Sequence, residues 1–302
     1  MHNGRRGFKA SLASKEELVM LSTSKVLSFI DNKNGFMLYF FEGQKLIHDL
    51  AILHNLKGEG FHFLRDSILG TQLLSVFLKN KENYGFYIDS EEPYFRFKIE
   101  TNFLGYMRTL LLPENFNKFP DKISGVYRVS KVTEGSRDPY NTIINIENKG
   151  IDEIVNQFFR ESFQINGNIH LSKTSDQSVF LMKLPEKNVD KVDNITPTIS
   201  IKEYWDNINP LVEEVFKEAY NEQGPIEKAF TKKDFVFLGS KDIQLRCSCS
   251  RERMLLGILG LARASGFEEL MQGDKELETK CDYCKTFYLF PEEEIKANLK
   301  DI

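Results

Sequence analysis

Apolar residues change their period several times along this chain, and each change predicts an element. Phe36-Met37-Leu38-Tyr39-Phe40-Phe41 is a short aromatic run between Gly35 and Gly43, the mark of a strand buried on both sides. Ahead of it, Ser14-Lys15-Glu16-Glu17 has the form of a capping box. The apolar positions that follow predict a short helix ending near Asp31-Asn32. Two more helices are expected after the aromatic run, from about Gln44 to Leu56 and from about Phe61 to Lys79. In the second, Leu64, Ile68, Leu69, Leu73, Val76 and Phe77 form a broad buried stripe. The period then becomes two. In Tyr94-Phe95-Arg96-Phe97-Lys98-Ile99-Glu100 the residues Phe95, Phe97 and Ile99 point one way and the charged ones the other. Further strands are expected at Tyr84–Ile88, Gly105–Leu112, Ile123–Lys131, Asn141–Ile146, Ile169–Leu171 and Val179–Leu184, with one helix near Ile151–Ser162 among them.

Helices gathered beside a run of strands predict an α+β fold, with a mixed N-terminal domain over residues 1–185. From Pro185 the texture loosens: Glu186 to Asn194 is polar and unpatterned, and Pro197 follows. Residues 186–240 therefore read as a flexible or helical linker, with Pro210 expected at the first turn of an amphipathic helix that carries Leu211, Val212, Val215 and Phe216. Residues 241–302 remain as a small C-terminal domain.

Composition narrows the function. The 302 residues are 41% hydrophobic, enough for a packed core, and the formal charge of −4 argues against a nucleic-acid binder that works by bulk positive charge. The longest apolar runs fall far short of the ~20 residues of a membrane span. Arg5-Arg6 faintly resembles a twin-arginine export signal, but Lys15, Glu16 and Glu17 interrupt the apolar stretch such a signal needs. A cytoplasmic chain is expected, where thiols are more often metal ligands or redox groups than structural disulfides.

That expectation matters because all four cysteines lie near the C-terminus, in two pairs: Cys247-Ser248-Cys249 and Cys281-Asp282-Tyr283-Cys284. Four thiolates in two close pairs can complete a tetrahedral shell around one zinc ion, each pair supplying one edge. No histidine lies near them in sequence, so the site predicted is all sulfur and has no open position for a hydrolytic water. Four ordinary buried thiols are the alternative. Four thiolates and one Zn²⁺ sum to −2, and Arg246, Arg251, Arg253, Lys280 and Lys285 are near enough in sequence to offset that charge, although a solvated basic surface explains them equally well.

The run Arg246-Cys247-Ser248-Cys249-Ser250-Arg251-Glu252-Arg253, the apolar helix after it, Cys281-Asp282-Tyr283-Cys284 and Tyr288-Leu289-Phe290 together resemble the C-terminal zinc domain of the heat shock protein 33 kDa family. Phe36 to Phe41, Leu73 to Lys79, Gln157 to Ser162 and Phe180 to Pro185 extend the resemblance over most of the chain. Asp89 to Pro93 departs from it where the family usually has a glycine-rich turn, and Gln177-Ser178 stands where a Gly-Gly is usual.

The resemblance implies a non-enzymatic, ATP-independent chaperone that is inactive when reduced and zinc-bound. It implies that oxidants form Cys247–Cys249 and Cys281–Cys284 disulfides and release the metal, that the linker then unfolds and binds unfolding client proteins, and that the oxidised form can pair as a homodimer. The spacing bears on what such bonds would do. They close loops of three and four residues, a constraint of roughly 1.5–2 kcal/mol each in the chain-entropy account. Neither joins one pair to the other, whereas a structural zinc supplies on the order of 10–16 kcal/mol of folding energy.

Two other readings stand beside this one. A dithiol oxidoreductase would place Cys281-x-x-Cys284 at a helix start in a thioredoxin-like unit, and no such pattern surrounds it. A constitutive zinc-ribbon module that binds RNA or a protein would keep the same ligands without the switch.

Overall fold

The aromatic run at residues 36–41 lacks alternation because both of its faces are covered. In the computed structural model, which describes residues 21–114, 116, 118–136, 138–163, 165–185 and 199–300, it forms β2 (Phe36–Glu42) at the centre of a five-stranded sheet. Its neighbours are β1 (Lys25–Asp31) and β9 (Gln177–Lys183), and the edges are β10 (Val236–Asp242) and β8 (Gly167–Leu171), all antiparallel. Phe36, Leu38 and Phe40 project into one core, and Phe41 into another on the opposite side.

The second core lies between this sheet and a six-stranded one. The latter is built on the meander β3 (Glu82–Ser90), β4 (Phe95–Asn102) and β5 (Tyr106–Leu112), continued by β6 (Ile123–Thr133) and β7 (Tyr140–Lys149). A two-residue strand, β11 (Gln244–Leu245), adds parallel to β5. The inward residues of the alternating strands, among them Phe86, Phe95, Phe97, Ile99, Tyr127 and Val129, pack against α1 (Gln44–Leu53), α2 (Glu59–Gln72) with its 3-10 extension Leu73–Phe77, and α3 (Ile151–Phe158). Charged residues of β4 and β5 face outward, which leaves a polar sheet surface for other parts of the chain to cover.

The first core is closed by α4 (Ile201–Glu218) and α5 (Gln223–Thr231). Tyr204, Ile208, Val212, Val215 and Phe216 of α4, with Ile226 and Phe230 of α5, bury against Leu27, Phe29, Phe36, Leu38 and Phe40. Tyr204 stacks on Phe36 at 3.9 Å and donates its hydroxyl to Asp31 at 2.6 Å.

The α+β class is as expected, and two local readings are corrected. The helix expected to end near Asp31-Asn32 is not there: residues 25–31 are β1, and its capping box at Ser14–Glu17 lies outside the described residues. Val26, Leu27, Phe29 and Ile30 suit either period, and pairing with β2 and β10 on both sides decides for the strand. The linker helix begins at Ile201, nine residues before Pro210. Ser200 accepts the Glu203 amide and the Glu203 carboxylate accepts the Ser200 amide, a true capping box, and the exposed Pro210 sits inside the helix. At the end of the segment read as linker, Val236–Asp242 is a strand: it pairs with β1 before the chain crosses at the buried Ile243 to join the other sheet as β11. The unpatterned stretch from Glu186 to Asn194 lies outside the described residues. Among the described residues no helix is long and apolar enough to cross a membrane.

Candidate metal centre

The remaining elements are α6 (Arg251–Ser265), α7 (Phe267–Met271), the hairpin β12 (Glu276–Lys280) and β13 (Phe287–Pro291), and α8 (Glu292–Lys300). Their shared core is small: Ile258, Leu259, Met271, Phe290 and Ile295 are buried, with seven half-buried hydrophobics packed against them. So little apolar surface rarely stabilises a unit of this size alone, and such units are usually stapled by a metal or disulfides.

Each cysteine pair occupies a bend that the local sequence dictates. Cys247-Ser248-Cys249 leads from β11 to α6, whose first turn is capped by the Ser250 hydroxyl accepting the Arg253 amide at 3.3 Å. Cys281 to Cys284 form the turn of the β12–β13 hairpin. The Lys285 amide donates to the Cys281 carbonyl at 2.8 Å, the Cys281 amide donates to the Thr286 carbonyl at 2.9 Å, and Lys285 takes a left-handed φ of 60°. This tight bend turns both sulfurs of the second pair toward the first.

The two pairs meet. All four Sγ atoms lie within 4.8 Å of one another, with Cys247 to Cys281 at 3.8 Å and Cys249 to Cys284 at 3.3 Å. Cys281 is buried, the other three are half-buried, and none is in a disulfide. A tetrahedral zinc with Zn–S distances near 2.3 Å has S···S edges of about 3.8 Å, so donor type, number and spacing all suit one such ion. Among the described residues no histidine joins the cluster. His54 bonds to Thr109 and His170 stacks on Trp205, both in the N-terminal region, and His2 lies outside the described residues.

Around the sulfurs stand donors that orient and tune them. The Tyr288 hydroxyl is 3.1 Å from Cys249 and the Thr286 hydroxyl 3.2 Å from Cys284. Burial opposes the Cys284 thiolate, but bonds from the Thr286 hydroxyl and amide and from the neighbouring sulfurs outweigh it and bring the thiol down to about 7. Burial pushes the Cys249 thiol the other way, to about 12, with the Tyr288 bond working against it. The expected basic neighbours mostly serve elsewhere. Arg251 forks onto Glu294, Arg253 donates to the Ser248 carbonyl, Lys280 and Lys285 share Glu114, and Arg246 lies over the Tyr106 ring. A cation does approach the sulfurs from another part of the chain: Nη1 of Arg108, on β5, is 3.9 Å from Cys247. It is 139 residues away in sequence, so no local signal announces it.

The family described as Hsp33 protein matches residues 24–291. The chain belongs to the Hsp33 family. Relatives named 33 kDa chaperonin include one from Pectobacterium atrosepticum, 21% identical over 78% of this chain and 81% of the relative, and one from Pectobacterium carotovorum, 23% identical over 59% of this chain and 60% of the relative. Against several of these relatives the similarity thus spans about three-fifths of their length. The 33 kDa chaperonin of Thermotoga maritima has a similar fold, with a TM-score of 0.70, 16% identity, and coverage of 93% of this chain and 99% of that one. The Hsp33 match includes both cysteine pairs and the sheets that the C-terminal unit rests on.

Proposed function

We propose that this Hsp33-family protein is a redox-regulated, ATP-independent chaperone that holds unfolding proteins, and that it is not an enzyme. Cys247, Cys249, Cys281 and Cys284 are its zinc ligands in the reduced, inactive state. The observation that carries the reading is the convergence of these four thiols, from two bends far apart in sequence, at the junction between a poorly cored unit and the outer face of the six-stranded sheet.

When bound, zinc clamps the two bends together. An oxidant such as a peroxide takes two electrons from each pair of thiolates, and the two protons it needs come from solvent. One S–S bond forms within Cys247/Cys249 and one within Cys281/Cys284, and each peroxide leaves as two waters. Those bonds use up the metal's ligands and join neither bend to the other. The C-terminal unit (241–302) then relies on its small apolar core, and the linker (186–240) loses the folded unit that follows it. The N-terminal unit (1–185) would keep its core, while α4 and α5 lift away and bare Phe36, Leu38, Phe40, Val212 and Phe216 as apolar surface for unfolding clients. A homodimer of the oxidised form and a reducing cytoplasm as the working compartment belong to the same proposal.

The test treats the purified zinc-loaded protein with peroxide and follows metal release alongside suppression of aggregation of a denatured client. Release together with a gain of suppression is expected. Equal suppression before and after oxidation would assign the protein to the constitutive binding modules instead.

A further inference from the structure

We infer that Arg108 is the positioning residue that holds the cysteine unit on the six-stranded sheet, and that it does so only while the two cysteine bends stand side by side. This rests on the redox reading above for its trigger, and on geometry alone for its mechanism.

Arg108 of β5 is the cross-strand partner of Glu100 on β4. Its Nε donates to Glu100 Oε2 at 2.6 Å, while Glu100 Oε1 accepts the Tyr283 hydroxyl at 3.0 Å. The guanidinium carbon lies 4.0 Å from the centre of the Tyr283 ring. On its remaining edge, Nη1 donates to the Ser248 hydroxyl at 3.0 Å and approaches the Cys247 sulfur. Ser248 is the middle residue of the first pair and Tyr283 lies inside the second. One planar cation therefore engages both bends, using its edges for the carboxylate and hydroxyl and its face for the ring, a combination that lysine's compact ammonium does not offer.

Other contacts to the sheet lack this double reach. Glu114 accepts Lys280 at 2.7 Å and Lys285 at 3.2 Å, both flanking the second pair. The Gln244 and Arg246 amides donate to the Gly105 and Met107 carbonyls, just before the first pair. Each of those sets holds one bend whatever the other does. Arg108 loses half its partners when the bends separate, yet its bond to Glu100 lies within the sheet and survives. The sheet does not depend on the docked unit, whereas docking depends on Arg108. Arg108 and Glu100 are each 26% exposed, so the cluster is partly shielded from water and its bonds are stronger than those of an exposed pair.

Hydrogen exchange on the full-length, reduced, zinc-loaded protein tests this. In Arg108→Ala, the Gln244 and Arg246 amides should exchange at least tenfold faster, with bound zinc and the exchange of β12, β13 and α6 unchanged. Peroxide-treated wild type should show the same acceleration at these amides, and oxidation should add little in the variant. Arg108→Lys should not restore protection. Tyr283→Leu, which removes the ring partner from the other side of the contact and leaves β5 intact, should reproduce the pattern. Full protection in either the alanine or the leucine variant overturns the inference, as does loss of protection spread equally through β5 and the cysteine unit. Failure of the redox reading shows separately: wild type would then hold no zinc or ignore peroxide, while the difference between reduced wild type and Arg108→Ala would still report the docking.

Discussion

The sulfurs of Cys249 and Cys284 stand 3.3 Å apart although 35 residues separate them in sequence. That contact runs between the pairs, not within one, and it ties the α6 end of the unit to the hairpin. Removing one thiol should therefore undo more than one ligand bond. Cys281→Ser is expected to lose tight zinc and to unfold residues 251–300 without any oxidant, because the metal's share of the folding energy is on the order of 10 kcal/mol and the five-residue core does not replace it. Zinc content and exchange of the β12–β13 amides check this; wild-type metal content in the variant would refute it.

Tyr288 stands behind one of the four thiols proposed to hold zinc. Its hydroxyl donates to Cys249, and removal of such a partner commonly lowers metal affinity by about 10- to 100-fold. Tyr288→Phe should show a drop of that size in a chelator competition, with the fold intact because the ring remains.

Trp205, the only tryptophan of the chain, stacks on His170 with ring centres 3.4 Å apart and planes 4° from parallel. Burial lowers the His170 imidazole to about 4. A histidine freed from this stack takes its proton near pH 6.5, while the packed one stays neutral until about 4. Docking of α4 on β8 is thus fully supported above pH 6.5 and weakens as pH falls from there toward 4. Trp205 fluorescence should report the loosening across that window. His170→Phe, which keeps a stacked ring and removes the titration, should flatten the response; an unchanged pH profile would disprove the assignment.

Gly105 takes a φ of 81°, and a Cβ there would lie 1.9 Å from the Asp242 carbonyl oxygen, where the chain crosses from β10 to β11. Gly105→Ala should push this crossing off the sheet and cost about 1–3 kcal/mol in strain. The expected signs are a lower thermal midpoint and faster proteolysis around residues 243–250, ahead of the first cysteine pair.

Much of the chemistry is legible in the chain alone because its signals are local. Cysteine spacing is a property of a few consecutive residues, and the four predicted thiols do converge. The alternation in residues 94–100 and the aromatic run at 36–41 likewise report their own burial, and both are strands. Elements whose state depends on partners are less legible. Residues 25–31 fit two periods, and only their neighbours β2 and β10 select the strand. The Ser200–Glu203 box lies in a stretch whose polarity suggests linker, so the helix start it marks is easily passed over.

Local patterning was enough for the α+β class, the buried central strand and the cluster of four thiols, since periodicity and spacing act over a few residues. It took the closed fold to establish that β10 and β11 stitch the two sheets together, that Tyr288 stands behind Cys249, and that Arg108 reaches across to both cysteine bends. The reason is physical: hydrogen bonds and ring contacts act over a few ångströms, and chain positions from 39 to well over a hundred residues apart come within that range only after the fold has closed.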